Sequence, residues 1–235
     1  MLQKRIACLK QSIADAARRG QRSPQEITVV CVSKLAALKD VVSVVKSGFL
    51  DIGENRLQEA QRKYTGLRDI LSAEQILRLR LHMIGHLQTN KVAKAVELFS
   101  LIQSVDSVSL AWLINAQAEK LKKSVNILAQ VNIGLELSKF GIHPDDAAKT
   151  IEPISNLSNI KLKGLMCIAP YSENAESTRS YFKHMRQIYE QVNIFLTERG
   201  HQKMTILSMG MSDDFEVAIE EGSNMVRIGR AIFGG

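Results

Sequence analysis

Apolar residues along this chain gather in short, nearly continuous runs, separated by longer polar stretches in which apolar positions return every three or four residues. A run of β-branched or apolar residues bounded by polar ones is the pattern of a strand buried on both faces, as in a parallel sheet. Eight such runs occur, at 27–34, 49–55, 79–85, 101–106, 125–133, 160–169, 205–210 and 224–229. The first and last begin 197 residues apart, a mean repeat of about 28, close to the βα unit of a barrel of ~250 residues. Helical segments with recognisable ends lie between them. The segment 40–46 stops at Gly48, 90–99 carries Val92, Val96 and Phe99 on one stripe, and 109–122 ends among Lys120, Lys122 and Lys123, which suit a helix carboxyl terminus. Pro144 opens a further helix, 174–199 closes at Gly200, and 213–222 runs from Asp213 and Asp214 to Gly222. This alternation predicts the α/β class, and eight repeats predict a single (β/α)8 TIM barrel over an open doubly wound sheet.

Ahead of the first run, Leu2, Ile6, Leu9, Ile13 and Ala16 or Ala17 form one helical stripe in a basic segment. Mitochondrial presequences share that look, but here the stripe runs into Ser23-Pro24 and the first strand without a cleavable spacer. An extra N-terminal helix packed on the domain is therefore predicted. A length of 235 residues with 45% apolar content suits one domain, 1–235. No apolar run approaches the ~20 residues that span a bilayer, so no membrane partner is expected. Cys8, Cys31 and Cys167 are odd in number and far apart, which argues against a disulfide framework or a zinc ribbon and fits the cytoplasm. No metal site is expected. The net charge of +7 suits an enzyme or a nucleic-acid binder. Its cations are dispersed, however, with no aromatic interleaving and no binding motif, so a nucleic-acid partner is not expected.

In a barrel of this kind chemistry sits at the carboxyl ends of the strands. Those ends are polar here: Lys34, Asn55, Gly85-His86, Asp106, Asn132, Ser208 and Arg227. A lysine at a strand exit either snorkels to solvent or points into the mouth, where desolvation favours the neutral amine that forms a Schiff base with an aldehyde. Ser208-Met209-Gly210-Met211-Ser212 leads into a helix opened by Asp213, supplying hydroxyls and free backbone N–H groups for an anion. Val226-Arg227-Ile228-Gly229-Arg230 again puts a glycine just past a strand, and the seventh and eighth loops often hold phosphate. An aldehyde at one end and a phosphate at the other describe pyridoxal 5′-phosphate (PLP).

The segments Val32-Ser33-Lys34, Gly53-Glu54-Asn55-Arg56-Leu57-Gln58-Glu59, Ile84-Gly85-His86-Leu87-Gln88-Thr89-Asn90-Lys91, Leu207-Ser208-Met209-Gly210-Met211-Ser212 and Val226-Arg227-Ile228-Gly229 stand in that order along the chain. Together they resemble the pyridoxal phosphate homeostasis proteins, PLP-binding chains related to the amino-terminal barrel of alanine racemase, across essentially the whole sequence. The resemblance implies that Lys34 forms the internal aldimine, that Ser208 and Gly210 with Gly229 hold the phosphate, and that Met209 lies within that cofactor-binding loop. It further implies that Arg227 faces the pyridine nitrogen, that Asn55 lies beside the cofactor, and that His86 stands at the rim. His86 is read equally well as a cap on the helix that begins near Asn90. The segment from Val131 to Ile142 looks like the family's mid-chain stretch with Glu136 and Lys139, charges that also suit a solvated loop. Two departures stand out. Arg230 replaces a Thr or Ser that many relatives carry, so a cation is expected in place of one hydroxyl at the phosphate. Cys167 and Pro170 stand where Thr and Gly are common, which changes the sixth-strand edge of the pocket.

PLP withdraws electrons most strongly when an acidic partner protonates its pyridine nitrogen, and an arginine cannot supply that proton. Racemases resembling this barrel take a second acid/base from another domain, which this sequence, reaching Gly235 soon after the eighth run, is expected to lack. The expected function is therefore a carrier that holds PLP and passes it to apo PLP-dependent enzymes, with no catalytic residue assigned. A weak amino-acid racemase is the alternative, and a basic nucleic-acid binder comes third.

Overall fold

The computed structural model describes residues 1–136 and 138–234. Eight strands, β1 (Thr28–Val32), β2 (Asp51–Glu54), β3 (Arg80–Met83), β4 (Leu101–Val105), β5 (Val125–Val131), β6 (Ile160–Cys167), β7 (Ile206–Ser208) and β8 (Met225–Ile228), pair in parallel and in chain order. β8 returns to β1, with Thr28 opposite Met225 and Val30 opposite Arg227, so the sheet closes. Around it run α1 (Leu2–Arg19), α2 (Leu38–Lys46), α3 (Leu57–Ile70), α4 (Ala73–Arg78), α5 (Val92–Leu98), α6 (Val108–Lys120), α7 (Ala147–Ser155), α8 (Arg179–Thr197), α9 (Phe215–Glu220) and α10 (Arg230–Phe233). This is the predicted (β/α)8 barrel with its extra N-terminal helix. Each strand is shorter than its apolar run, because the terminal residues leave the ladder to begin the loops. Two helices, α3 and α4, fill the interval between β2 and β3, where the apolar pattern assigns none.

Side-chain alternation along the strands separates two cores. The outer and larger one lies between sheet and helices, and there Ile6, Leu9, Ile13, Ala16 and Ala17 of α1 are all buried. That helix packs on α9 and α10, and it is tied down by Arg5 Nη1 donating to the Phe233 carbonyl at 2.9 Å and by Arg19 bridging Glu216 and Glu220. Inside the barrel a smaller set, Val30, Leu101, Leu128, Met166 and Met225, fills the centre. Polar residues share this interior: His82, Gln103, Ser208 and Arg227 are all buried.

Candidate functional site

Eight parallel strands put all eight carboxyl ends on one rim, so the polar strand ends read from the sequence belong to one mouth. Lys34 follows β1 by two residues, Asn55 follows β2 directly, and His86 lies three beyond β3. Arg227 lies within β8, the neighbour of β1. Lys34 is exposed, so its amine is not desolvated as the buried-nucleophile expectation required.

The backbone that presents Lys34 is held from behind. The Ser33 hydroxyl donates to Glu54 Oε1 at 2.5 Å, Lys63 of α3 bridges the same oxygen at 2.7 Å, and its ammonium also donates to the Ser33 carbonyl. Ser33, Glu54 and Lys63 are all buried. The second carboxylate oxygen, Glu54 Oε2, has no hydrogen-bond partner among the described residues.

Arg227 is buried beneath the seventh and eighth loops. Its Nη1 donates to Ser208 Oγ at 2.7 Å and its Nη2 to the Cys167 carbonyl at 2.7 Å. Burial pushes its pKa down, countered by Cys167 and Asp214, yet a guanidinium stays charged in proteins. It offers five N–H groups, of which these two partners take two. Cys167, which supplies that carbonyl, has a thiol pushed up to about 12 by burial. Ser208 is wholly buried and its hydroxyl also donates to Gln103 Oε1 at 2.8 Å. Ser208 ends β7 as expected, but its hydroxyl is engaged by Arg227 and Gln103, so it supports Arg227 and is not turned to the loop as the phosphate role implied by the resemblance requires.

Above this layer the loops after β7 and β8 close on each other. The Gly229 and Ala231 N–H groups converge on Ser212 Oγ, at 3.2 and 3.3 Å. Two backbone donors aimed at one oxygen form the kind of nest that holds an oxyanion. The sequence reading includes Ser212 in the segment that supplies hydroxyls for an anion, without assigning it to the cofactor individually. Gly210 has φ +93°, and a Cβ there would lie 2.6 Å from Ala218 Cβ, so only glycine lets the turn into α9 pack this closely. The Met209 side chain is packed in the outer core, leaving only its backbone near the mouth. Arg230 is exposed and paired with Asp213, bridging the two loops.

On the opposite side of the rim, His86 Nδ1 lies 3.3 Å from Asp106 Oδ2, and its ring stacks on Phe140 with centroids 3.6 Å apart. It caps no helix: the turn Thr89–Lys91 is capped by Gln88, without a side-chain bond. Concavities of about 480 and 490 Å³ flank His86, one reaching Asp106, Ser107 and Ser109, the other reaching Asn55, Arg56 and Lys91. Neither reaches Lys34 or Arg227. Asn132 gathers the loop after β5, donating to the Glu136 and Lys139 carbonyls, while Lys139 and Glu136 pair at 2.9 Å as part-exposed charges. Among the described residues no cluster of three or more His, Cys, Asp or Glu could hold a metal ion.

The alanine racemase N-terminal domain family matches residues 9–235 of this chain. The pyridoxal phosphate homeostasis protein of Aquifex aeolicus is 37% identical over 230 residues, covering 98% of this chain and 96% of its own. Its counterpart from Escherichia coli K12 is 35% identical over 230 residues, covering 97% and 94%. The structure of PipY from Synechococcus elongatus with PLP bound superposes with a TM-score of 0.83 at 31% identity, and both chains are covered completely. Alanine racemase of Clostridium difficile 630 gives a TM-score of 0.70 at 18% identity, with 56% of its length covered, a likeness of fold.

Proposed function

Because the chain belongs to the pyridoxal phosphate homeostasis protein family, we propose that it binds PLP at the barrel mouth through Lys34 and serves intracellular homeostasis and supply of that cofactor. The observation that carries this reading is the closing of β8 on β1. That pairing sets the strand that leads into Lys34 beside the strand that carries the buried Arg227, and the loop after β8 offers converging backbone donors, which supports the reading. The donor set fits the group: an amine for an aldehyde, N–H groups for phosphate oxygens, and a guanidinium with donors to spare for a ring nitrogen. Lys34 would supply the amine for the aldehyde. Gly210, Gly229 and the Ser212 hydroxyl serve the phosphate, with Met209 contributing backbone alone, and Ser208 acts by supporting Arg227. Asn55 and His86 line the far side.

PLP supplies an electron sink when bound, strongest with a protonated ring nitrogen. Arg227 would donate to that nitrogen and cannot protonate it, which supports a chain that holds the cofactor without robust catalysis. Apo PLP-dependent enzymes are the proposed recipients. A cytoplasmic setting is supported by three free cysteines, and no helix among the described residues is long and apolar enough to cross a membrane. Arg19, Arg179 and Arg230 pair with acidic side chains, which supports the reading that nucleic acid is not a partner. Salt-independent or absent binding to a random oligonucleotide is the expected result.

Borohydride reduction of the PLP-loaded protein, followed by peptide mapping, should leave the pyridoxyl group on Lys34. A label found solely on another lysine would refute the assignment. Transfer to an apo-transaminase should be seen with the native chain and lost with Lys34→Ala. A panel of L-amino acids should show negligible racemisation; turnover near the ~10 s⁻¹ typical of enzymes would make it a racemase instead. Arg227→Ala should weaken retention of PLP, while Arg230→Ala should act chiefly through the phosphate. Each loss is about 1.5–3 kcal/mol, tenfold or more in affinity. Equal losses for PLP and for unphosphorylated pyridoxal in Arg230→Ala would remove Arg230 from the phosphate site.

A further inference from the structure

Beneath Arg227 a line of buried side chains from β7, β4, β3 and β2 crosses the barrel interior. Arg227 Nη1 lies 2.7 Å from Ser208 Oγ, and Ser208 Oγ lies 2.8 Å from Gln103 Oε1. Gln103 Nε2 lies 2.9 Å from His82 Nδ1, and His82 Nε2 lies 3.0 Å from Asp51 Oδ1. Asp51 and Arg80 stand first in β2 and β3, and Arg80 grips the Asp51 carboxylate with two bonds of 2.7 and 2.6 Å. The line therefore runs from the foot of the barrel to its mouth.

Its two ends dictate its sense. A guanidinium only donates and a carboxylate only accepts. Arg227 donates to Ser208, so the serine spends its one proton on the Gln103 carbonyl. The Gln103 amide then presents N–H to His82, which must accept at Nδ1 and keep its proton on Nε2 for Asp51. A doubly protonated His82 breaks the order: Gln103 would have to turn its oxygen to the imidazole and its NH2 to Ser208. The hydroxyl would then receive two donors and have no acceptor for its own proton within the line. Hydrogen bonds aligned in one sense polarise one another and strengthen, most of all in a low-dielectric interior.

We propose that Asp51, His82, Gln103 and Ser208 are positioning residues for Arg227, fixing its guanidinium in one plane with its remaining donors turned to the mouth, through an imidazole held as the neutral Nε2–H tautomer. This rests on the reading that Arg227 faces the PLP ring, and it adds what sets the direction in which that arginine donates. The four act through Arg227.

Nitrogen-15 NMR of the unloaded protein should show His82 protonated at Nε2 alone at neutral pH, and an Nδ1–H tautomer or an imidazolium would overturn the proposal. In the loaded protein, His82→Leu and Gln103→Leu should weaken PLP binding by about tenfold and shift its visible absorption band in the direction seen with Arg227→Ala. His82→Gln, which keeps one acceptor and one donor, should restore both. If the leucine variants fold and leave affinity and band unchanged while Arg227→Ala alters them, the positioning role is wrong. If Arg227→Ala also changes nothing, the reading of Arg227 itself falls, and the positioning role with it.

Discussion

Lys63 carries a positive charge into the outer core to meet Glu54, and the two clamp the Ser33 backbone from which Lys34 emerges. Removing one partner of such a pair leaves a charge buried alone. Lys63→Met should therefore lower stability by about 3–5 kcal/mol in urea unfolding, and adding Glu54→Gln should recover part of the loss. An unchanged midpoint in the single variant would show the pair to be solvated. Thiol reactivity gives a second test at this scale. Cys31 and Cys167 are buried, with thiol pKa values raised by desolvation, whereas Cys8 is exposed. One fast thiol should titrate in the native protein and three in denaturant; two fast native thiols would contradict the packing of β1 or β6. The polar strand ends were legible in the sequence, since Lys34, Asn55 and Arg227 are polar residues breaking apolar runs. His82, Gln103 and Lys63 were not, because a polar residue inside an element reveals itself only through partners supplied by other elements.

At the level of elements, β1, β4, β5 and β6 stood out because burial on both faces leaves them largely apolar, whereas β2 and β3 are half polar and were marked by the apolar residues around them. The helices α3 and α4 did not stand out. The inward face of α3 is Leu57, Ala60, Lys63 and Leu67, so a lysine interrupts the stripe, and α4 buries none of its residues. Strand lengths were overestimated for a related reason: Ser33 still donates its N–H to Gly53, but the residues beyond it turn outward as loop. The junction of β5, β6 and β7 has a requirement of its own. The register between β5 and β6 shifts so that Leu128 pairs with Gly164, and a Cβ at Gly164 would fall 1.8 Å from the Ile206 carbonyl oxygen. Gly164→Ala should cost about 3 kcal/mol by thermal unfolding, and a loss below a few tenths would mean that β7 can slide aside. On α1, Leu9→Ala should cost about 2–5 kcal/mol, since that side chain is buried in the outer core.

For the molecule as a whole, the foot of the barrel sets a dependence on acid. Burial raises the Asp51 pKa, but hydrogen bonds from His82 and Arg80 outweigh it and hold the carboxyl below its ordinary value. A depressed folded pKa means that Asp51 stabilises the barrel above its unfolded pKa of about 3.9. That contribution drains away as pH falls through the lower folded value. Urea midpoints measured at pH 7, 4 and 3 should fall more steeply for the native chain than for Asp51→Asn; parallel curves would remove Asp51 from the acid response.

The closing seam between β1 and β8 also governs how this molecule comes into being. Thr28 pairs with Met225, so a ribosome must add 197 residues before the first strand meets its second neighbour. At about 5–20 residues per second that wait lasts roughly ten to forty seconds. Through all of it one edge of β1 and the apolar stripe of α1 stand uncovered, open to chaperones and proteases. Lys34 is made early and Arg227 late, so a nascent chain holds both residues of the proposed site only when the seam can close. Ribosome-bound chains of increasing length should gain protease resistance and retain PLP in a single step, once β8 has cleared the exit tunnel.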